Sequence, residues 1–485
     1  MAIQRISLCQ PIETRDGTLS KDSKSTNCVF ETRGGTQDFV KRPGLVFAAQ
    51  VTSVSPPATL LSQGLVAFNN DLIAVISNTI YKVNSSTYAV TTVGSTSVST
   101  SNTYFTKDMG ETTLMFQNKV NGYLYTSGGA LSTVVFPFAT GMVCGVVFLD
   151  GYMFVATTDN RIYNCDVGAY STWNALNYIS FEQTADSLVG ICKHLNYLVA
   201  FGKTSIQFYY DAGNATGSPL SIAQSYTSET GCANGDSIVA TDNTVLWVGT
   251  SKSHGKSVYL MDGVSPVRVS TASIDKCLEA SNLVDTTAYC YKFYGHSLYI
   301  LTLHDTNMTL VYDINEKIWY QWTQYAIASA DQPNPGTLQE GYLRAVFYAE
   351  ANSKPFVLDD DTANLYYFDT NTYQDNGQPI YCRAVTDIKD NGTTHRKFYG
   401  RLEIVGDKVG GVMKIRHSGD DYQTWSSYRA VDLSAGRSQT YLGGADRRRA
   451  WEFLCTSDVP LRLECAEIDF RIGEMDQEQN MGSRR

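Results

Sequence analysis

The sequence predicts an all-β protein: a six- or seven-bladed β-propeller with an N-terminal extension and a small C-terminal β-sandwich. Three observations carry this reading. The chain holds 31 Tyr and 20 Phe among 485 residues, with frequent Val, Thr and Ile, the side chains that suit a pleated surface. A short apolar run, a tight turn and a second run ending on an aromatic recur along its middle. No segment sustains a helical period, so helices are expected to be absent.

Residues 1–58 are polar, rich in Thr and Gly, and read as an extension that ends on a corner, "FVKRPGLVF" (residues 39–47). Pro43 fixes φ and Gly44 permits a reversal, so Lys41 to Gly44 turn the chain and deliver Leu45 to Phe47 into a strand. Residues 59–377 carry the repeats. "LVAFNNDLIAVISNTIYKV" from Leu65 turns at Asn69-Asn70, and "VVFLDGYMFVATTDNRIYNC" from Val146 turns at Asp150-Gly151, strong hairpin signals. Further copies start at Thr112, Cys192, Asn243, Phe293 and Ser353. With Ile73, Met115, Phe154, Val199, Trp247, Ile300 and Val357 as equivalent positions, the spacing is roughly 40–57 residues, at or slightly above the range of four-stranded propeller blades. Two tandem sandwiches would need fewer equivalent hairpins. Tyr325 to Gly341 reads as an insertion or long loop.

From residue 378 to 473 the pattern changes to a small β-sandwich. Leu461, Leu463 and Cys465 share one phase, whereas Ile468, Phe470 and Ile472 share the other. A one-residue slip at Ala466-Glu467 accounts for this and predicts a bulge or turn. Residues 474–485 form a polar tail.

Hydrophobic content of 43% and charge of 18% describe a folded chain. The net charge of −10 argues against a basic groove that grips nucleic acid, because such binding rests on phosphate neutralisation. An acidic surface beside DNA would keep the duplex from sticking. The 11 cysteines are scattered without a CxxC pair, which predicts free thiols in a reducing compartment. No signal peptide and no membrane-spanning segment is expected, since no apolar run is long enough for either.

Several motifs suggest chemistry. "GTSKSHGKS" (249–257) approaches a P-loop, but five residues separate Gly249 from Gly255 where the phosphate cradle needs four. It reads as a hairpin. Asp359, Asp360 and Asp361 offer carboxylates to a hard cation, yet no loop-closing Glu follows, so a solvated turn is the simpler reading. "SGDDYQTW" (418–425) resembles the Asp-box hairpin of sialidases, with Tyr422 in place of the usual Gly; that motif locks a hairpin and does not catalyse. The six histidines show no metal-ligand spacing, and no nucleophile signature is present. Catalytic residues, cofactors and metals are therefore all read as none. Arg447, Arg448 and Arg449 form a short charge run beside Trp451, read as a solvated hairpin first and a protein contact second.

"STNCVFETRGGTQDFVKRPGLVF" (25–47) resembles the N-terminal segment of tail hub or nozzle proteins of short-tailed bacteriophages, in which an Asn (here Asn27) and a Glu (here Glu31) precede Lys-Arg-Pro-x-Leu (here Lys41, Arg42, Pro43 and Leu45). "WNALNYIS" (173–180), "FGKTSIQFYYDAG" (201–213) and "LWVG…GKSVYLMDGVSPVRVST" (246–271) are similar, in the same order, to the packaged-DNA stabilisation and tail tubular protein B-like members of that group. "GHSLYIL…TLVYDINEKIWYQW" and the strands around "RRRAWEF" are also similar.

The resemblance implies a non-enzymatic virion protein, made and assembled in the host bacterial cytoplasm. Six copies, a homohexamer, would ring the tail axis below the portal-adaptor (head-to-tail connector) ring. They would extend the DNA channel and retain packaged dsDNA, without sequence-specific binding, until a needle, plug, fibres or tailspikes complete the tail and ejection follows. Asn27, Glu31, Lys41, Arg42, Pro43, Gly44, Arg447, Arg448 and Arg449 are the candidates for subunit or adaptor contacts. The alternative is a glycan-binding or sialidase-like propeller, which predicts repeated Asp boxes and a carboxylate pair in a central pocket.

Overall fold

A computed structural model describes residues 2–52, 60–182, 185–327, 338–441 and 443–473. The polar tail and the middle of the Tyr325 to Gly341 insertion lie outside the described residues. The chain forms two compact units. One comprises residues 46–307 and 343–368; the other comprises 1–45, 308–342 and 369–485.

The first unit is an all-β propeller. Five consecutive antiparallel sheets of four strands, residues 62–95, 104–134, 147–180, 188–222 and 239–268, form blades 1 to 5. Blade 6 is built from Ala345–Ala351, Lys354–Asp359 and Asn364–Asp369, with Gly44–Gln50 as its fourth strand. A hairpin, Thr286–Phe293 with His296–Leu303, lies between blades 5 and 6 in the ring of innermost strands. That ring is continuous: each inner strand touches the next, and Ala345–Ala351 touches Ser62–Phe68 to complete the circle. The sixth blade thus joins the strand that precedes blade 1 to the strands at the far end of the propeller sequence.

Burial explains why the strands read as continuous apolar runs. In blade 1, Leu72 and Ala74 pack towards blade 6 while Ile73 and Val75 pack towards blade 2. In blade 3, Met153 and Val155 meet blade 2 while Phe154 and Ala156 meet blade 4. A sheet buried on both faces needs apolar side chains at odd and even positions alike. Each such side chain contributes about 1.5–3 kcal/mol when fully buried. Trp247 breaks the expected equivalence: Ile73, Met115, Phe154 and Val199 face the following blade, but Trp247 faces back to Val199 and Phe201 in blade 4.

The hairpin corners have the backbone their residues favour. Asn69 and Asn70 lie at φ 50° and 62°, and Asp150 and Gly151 at 49° and 88°. Two consecutive left-handed residues match the right-handed twist of the flanking strands. The expectation of no helix is corrected by Ala272–Ala280, whose N-cap Thr271 accepts from the Ile274 N–H. Its Ile274, Cys277 and Leu278 are buried at helical spacing, a single short stripe within a β-rich sequence.

The second unit contains two sheets. In one, Cys28–Arg33, Thr36–Lys41, Arg462–Ile472, Lys397–Gly406 and Ser438–Tyr441 lie in that order. In the other, Met308–Asp313, Ile318–Ile327, Lys24–Thr26, Cys382–Val385, Ala450–Cys455, Val412–Ser418 and Arg429–Asp432 do so. Their side chains meet: Phe30 stands edge-on to Tyr320 at 4.8 Å, and Tyr399 to Trp451 at 5.8 Å. The phase slip near Ala466 is present. Val405 faces Cys465 but Gly406 faces Leu463, which leaves Glu464 as the extra residue. Cys465 and Ala466 are consequently both buried. The irregularity thus sits slightly before the predicted position.

Candidate functional site: the 41–44 corner and the propeller cavity

The corner between Lys41 and Gly44 lies inside the second unit, where the chain itself supplies its polar partners. Arg42 is fully buried. Its Nε donates to Asn27 Oδ1 (3.0 Å), its Nη1 to Asp375 Oδ1 (3.0 Å) and Pro43 O (3.0 Å), and its Nη2 to Asp375 Oδ2 (2.6 Å) and Thr323 O (3.1 Å). All five N–H groups of the guanidinium are used, which is what allows a charge to be held away from water. The Trp322 ring lies 5.6 Å from its carbon.

Asn27 is the organising partner. It sits at φ 57°, a left-handed conformation that Asn tolerates better than most residues. Its side-chain oxygen accepts from Thr323 N (2.8 Å) as well as from Arg42, and its Nδ2 donates to Thr323 Oγ1 (2.8 Å) and Tyr381 O (3.1 Å). Lys41 donates to Ser457 O at 2.8 Å, and burial holds its ammonium below the usual lysine range. Gly44 donates to Thr372 O at 2.6 Å. A Cβ there would lie 2.2 Å from Gln374 O and 2.8 Å from Thr372 O, so only glycine permits this approach. Pro43 is buried between them. Glu31 is only partly covered and lies 3.5 Å from Arg462.

Of the nine candidates, the structure brings Asn27, Lys41, Arg42, Pro43 and Gly44 together and leaves the arginine run apart from them. Arg449 is buried, donates to Asp446 Oδ2 at 2.6 Å and lies 3.9 Å from the Tyr399 ring centre. Arg447 and Arg448 are exposed, and Arg447 donates to Thr394 O at 3.0 Å. Asp375, Thr323 and Trp322 are the participants that sequence reading missed. Asp375 stands 333 positions from Arg42 along the chain, and nothing in its local sequence advertises a buried partner.

The motifs resolve into structural roles. Lys256, the lysine of the P-loop-like stretch, donates to Leu278 O at 3.3 Å and to Ser281 O, so it caps the C-terminus of the 272–280 helix, where a cation is favourable. Asp359 Oδ1 accepts from Thr362 N (3.1 Å) and Thr362 Oγ1 (2.7 Å), an Asx-type turn. No cluster of three or more metal-ligating side chains occurs among the described residues. In the Asp-box-like hairpin, Asp420 accepts from Ser418 Oγ (2.8 Å), Thr424 N (2.9 Å) and Thr424 Oγ1 (2.5 Å), which lowers its carboxyl to about 2. Tyr422 takes φ 64°, the conformation for which that position usually carries glycine.

The propeller unit encloses a cavity of about 750 Å³ lined in part by Asn102, Lys119, Cys144, Lys203 and Asp236. Asp236 lies in the short turn Gly235–Ser237, capped by Asn234, which accepts from Asp236 N at 2.8 Å. Asn102 donates to Asp236 Oδ1 at 3.0 Å, Tyr104 donates to the same oxygen, and Lys119 Nζ lies 3.5 Å from Oδ2. These contacts tie blade 2 to the turn that opens blade 5. Burial raises the Tyr104 hydroxyl well above its ordinary range and the Cys144 thiol to about 11. Neither is poised as a nucleophile at neutral pH. The arrangement acts as a strut of satisfied polar groups.

The family model described as Bacteriophage P22 Gp10, beta-propeller, matches residues 36–373. No curated protein matches the sequence. Among solved structures, the chain is similar to selenomethionine-substituted virginiamycin B lyase from Staphylococcus aureus (9% identity, TM-score 0.41, covering 63% of this chain and 94% of that one). It is similar to BamB from Moraxella catarrhalis (10%, 0.38, 76% and 98%). It is also similar to the Pan2 WD40 domain of Neurospora crassa (10%, 0.42, 68% and 94%).

Proposed function

The chain belongs to the Bacteriophage P22 Gp10, beta-propeller family, and from that membership we propose that this structural phage tail protein is the hub or nozzle subunit of a short tail. In this reading about six copies ring the tail axis below the portal-adaptor ring, extend the DNA channel, and retain the packaged genome until ejection. The observation that carries it is the span of the family match, which starts in the Thr36–Lys41 strand and ends at residue 373.

Two physical features support the reading. The propeller cavity, about 750 Å³, has the volume of a small-molecule pocket, and in this reading the DNA path runs between copies of the chain, arranged as a ring. The net charge of −10 supports the reading as well: an acidic wall would repel phosphates, so that the duplex slides instead of binding. The corner at Lys41 to Gly44 serves this role as an internal clamp.

The test is the copy number in purified phage particles, measured by quantitative mass spectrometry against the portal protein. About six copies per particle support the ring. Three copies, or many more than six, indicate fibres or spikes, and absence from the particle overturns the reading.

A further inference from the structure

Unit 1–45, 308–342 and 369–485 carries a face of exposed arginines that form no ion pair among the described residues. Phe398 is 46% exposed, and the neighbouring strands place Ala445 and Arg471 directly opposite it on either side. The Arg471 guanidinium lies 5.8 Å from the Phe398 ring centre. Arg396 donates through Nε to Ala445 O at 3.5 Å, and its own carbonyl accepts from Gly473 N, so it borders the same patch. Arg447 is bound to Thr394 O two residues before Arg396, and Arg448 follows it. Arg396, Arg447, Arg448 and Arg471 are all exposed.

Of the carboxylates nearby, Asp446 pairs with Arg449, Asp469 with Arg401 at 3.2 Å, and Asp421 with Arg15 at 2.7 Å; the hydrogen bond from Arg15 holds the Asp421 carboxyl low, and the charge of Arg448 adds to it. Among the described residues none of the four exposed arginines enters an ion pair. The imbalance runs the other way in the propeller unit, where residues 46–307 and 343–368 hold 13 Lys and Arg against 21 Asp and Glu; the remainder of the chain holds 25 against 27.

We propose that this arginine face around Phe398 is a subunit contact that receives the acidic propeller of a second copy of the chain. The proposal rests on the ring reading above and names the contact that builds the ring. Arginines around a solvent-exposed aromatic are the composition of a protein–protein interface core. A contact between a patch on one unit and a different surface on the next copy is heterologous, and such contacts close into rings when the rotation allows. A duplex is the weaker occupant, because the whole chain carries −10 and duplex binding depends on net phosphate neutralisation.

The experiment uses intact particles in which the protein carries Arg448→Lys, which keeps the charge and supplies an amine. Light and heavy isotopically labelled chains are mixed during assembly, and a carbodiimide then couples that amine to any touching carboxylate. Light-to-heavy peptides joining position 448 to Asp or Glu within residues 46–307 or 343–368 are the expected result. Coupling only within one chain, to Glu474 or Asp476, overturns the proposal, as does coupling to another virion protein or none at all in particles that hold about six copies. Ultraviolet cross-linking of position 448 to packaged DNA also overturns it. Particles lacking the protein altogether overturn the ring reading instead, so the two failures are distinct. In a second variant, Arg447→Glu with Arg448→Glu is expected to lower the copies per particle at least tenfold while the purified chain keeps its unfolding midpoint; undiminished incorporation overturns the contact.

Discussion

Arg42 and Asp375 form a buried bidentate ion pair, 3.0 Å and 2.6 Å across its two bonds, between residues that are 0% and 2% exposed. The pair joins the end of the N-terminal hairpin to the segment that follows blade 6 in sequence. A buried guanidinium whose partner is removed keeps its desolvation cost and loses its compensation. Asp375→Ala is therefore expected to destabilise the chain by about 3–5 kcal/mol. Replacing both members by Met and Leu is expected to cost less than the single change, because it leaves no orphaned charge. Urea unfolding of the three proteins checks this. A double variant no more stable than Asp375→Ala removes the argument.

Gly44 gives a second, sharper contrast. An alanine there places Cβ 2.2 Å from Gln374 O, a backbone atom that cannot rotate away. At Gly34, by contrast, nothing lies within 4 Å, and the only obstacle is φ 58°. Gly34→Ala is expected to cost roughly 1 kcal/mol for the backbone conformation alone. Gly44→Ala is expected to cost several times that, about 3 kcal/mol or more, because the close approach of two strands must open. Thermal unfolding in parallel ranks the two. Equal losses show that the approach is not tight.

These two sites mark what a sequence discloses and what it withholds. Turn chemistry is local, so Asp150-Gly151 and Asn69-Asn70 announce their corners, and continuous apolar runs announce sheets buried on both faces. Register is less visible. Trp247 looks equivalent to Val199, yet it packs back onto the preceding blade, because an aromatic at either face of a doubly buried strand satisfies the same pattern. The 272–280 helix had a readable signal, Thr271 followed by apolar residues at 274, 277 and 278, that a strand-rich context masks. The KRPG stretch links the strands Thr36–Lys41 and Gly44–Gln50 through Arg42 and Pro43 with no hydrogen-bonded turn and no left-handed φ at Gly44, and its burial depends on Asn27, Thr323 and Asp375, which no spacing rule connects. An exposed basic corner and a buried one share the same letters.

His417 supplies the last prediction. It borders Trp451 at 5.5 Å between ring centres and lies 3.2 Å from Ser426 Oγ through Nδ1. Burial, then the positive charge of Arg449, lower its pKa from 6.5 to about 4, with Asp446 opposing and Arg429 adding to the shift. The folded state therefore resists the proton that the unfolded chain accepts. This part of the stability is whole above about pH 6.5 and declines as pH falls towards 4. Discounted for the partial exposure of the ring, the loss is about 1–2 kcal/mol. His417→Gln removes the titrating group while keeping a hydrogen-bonding side chain, so its unfolding free energy is expected to fall less steeply than that of the unmodified protein across this window. Parallel pH profiles of the two proteins mean that His417 is protonated in the folded state at its ordinary value, and that Arg449 and the aromatic packing do not hold it neutral.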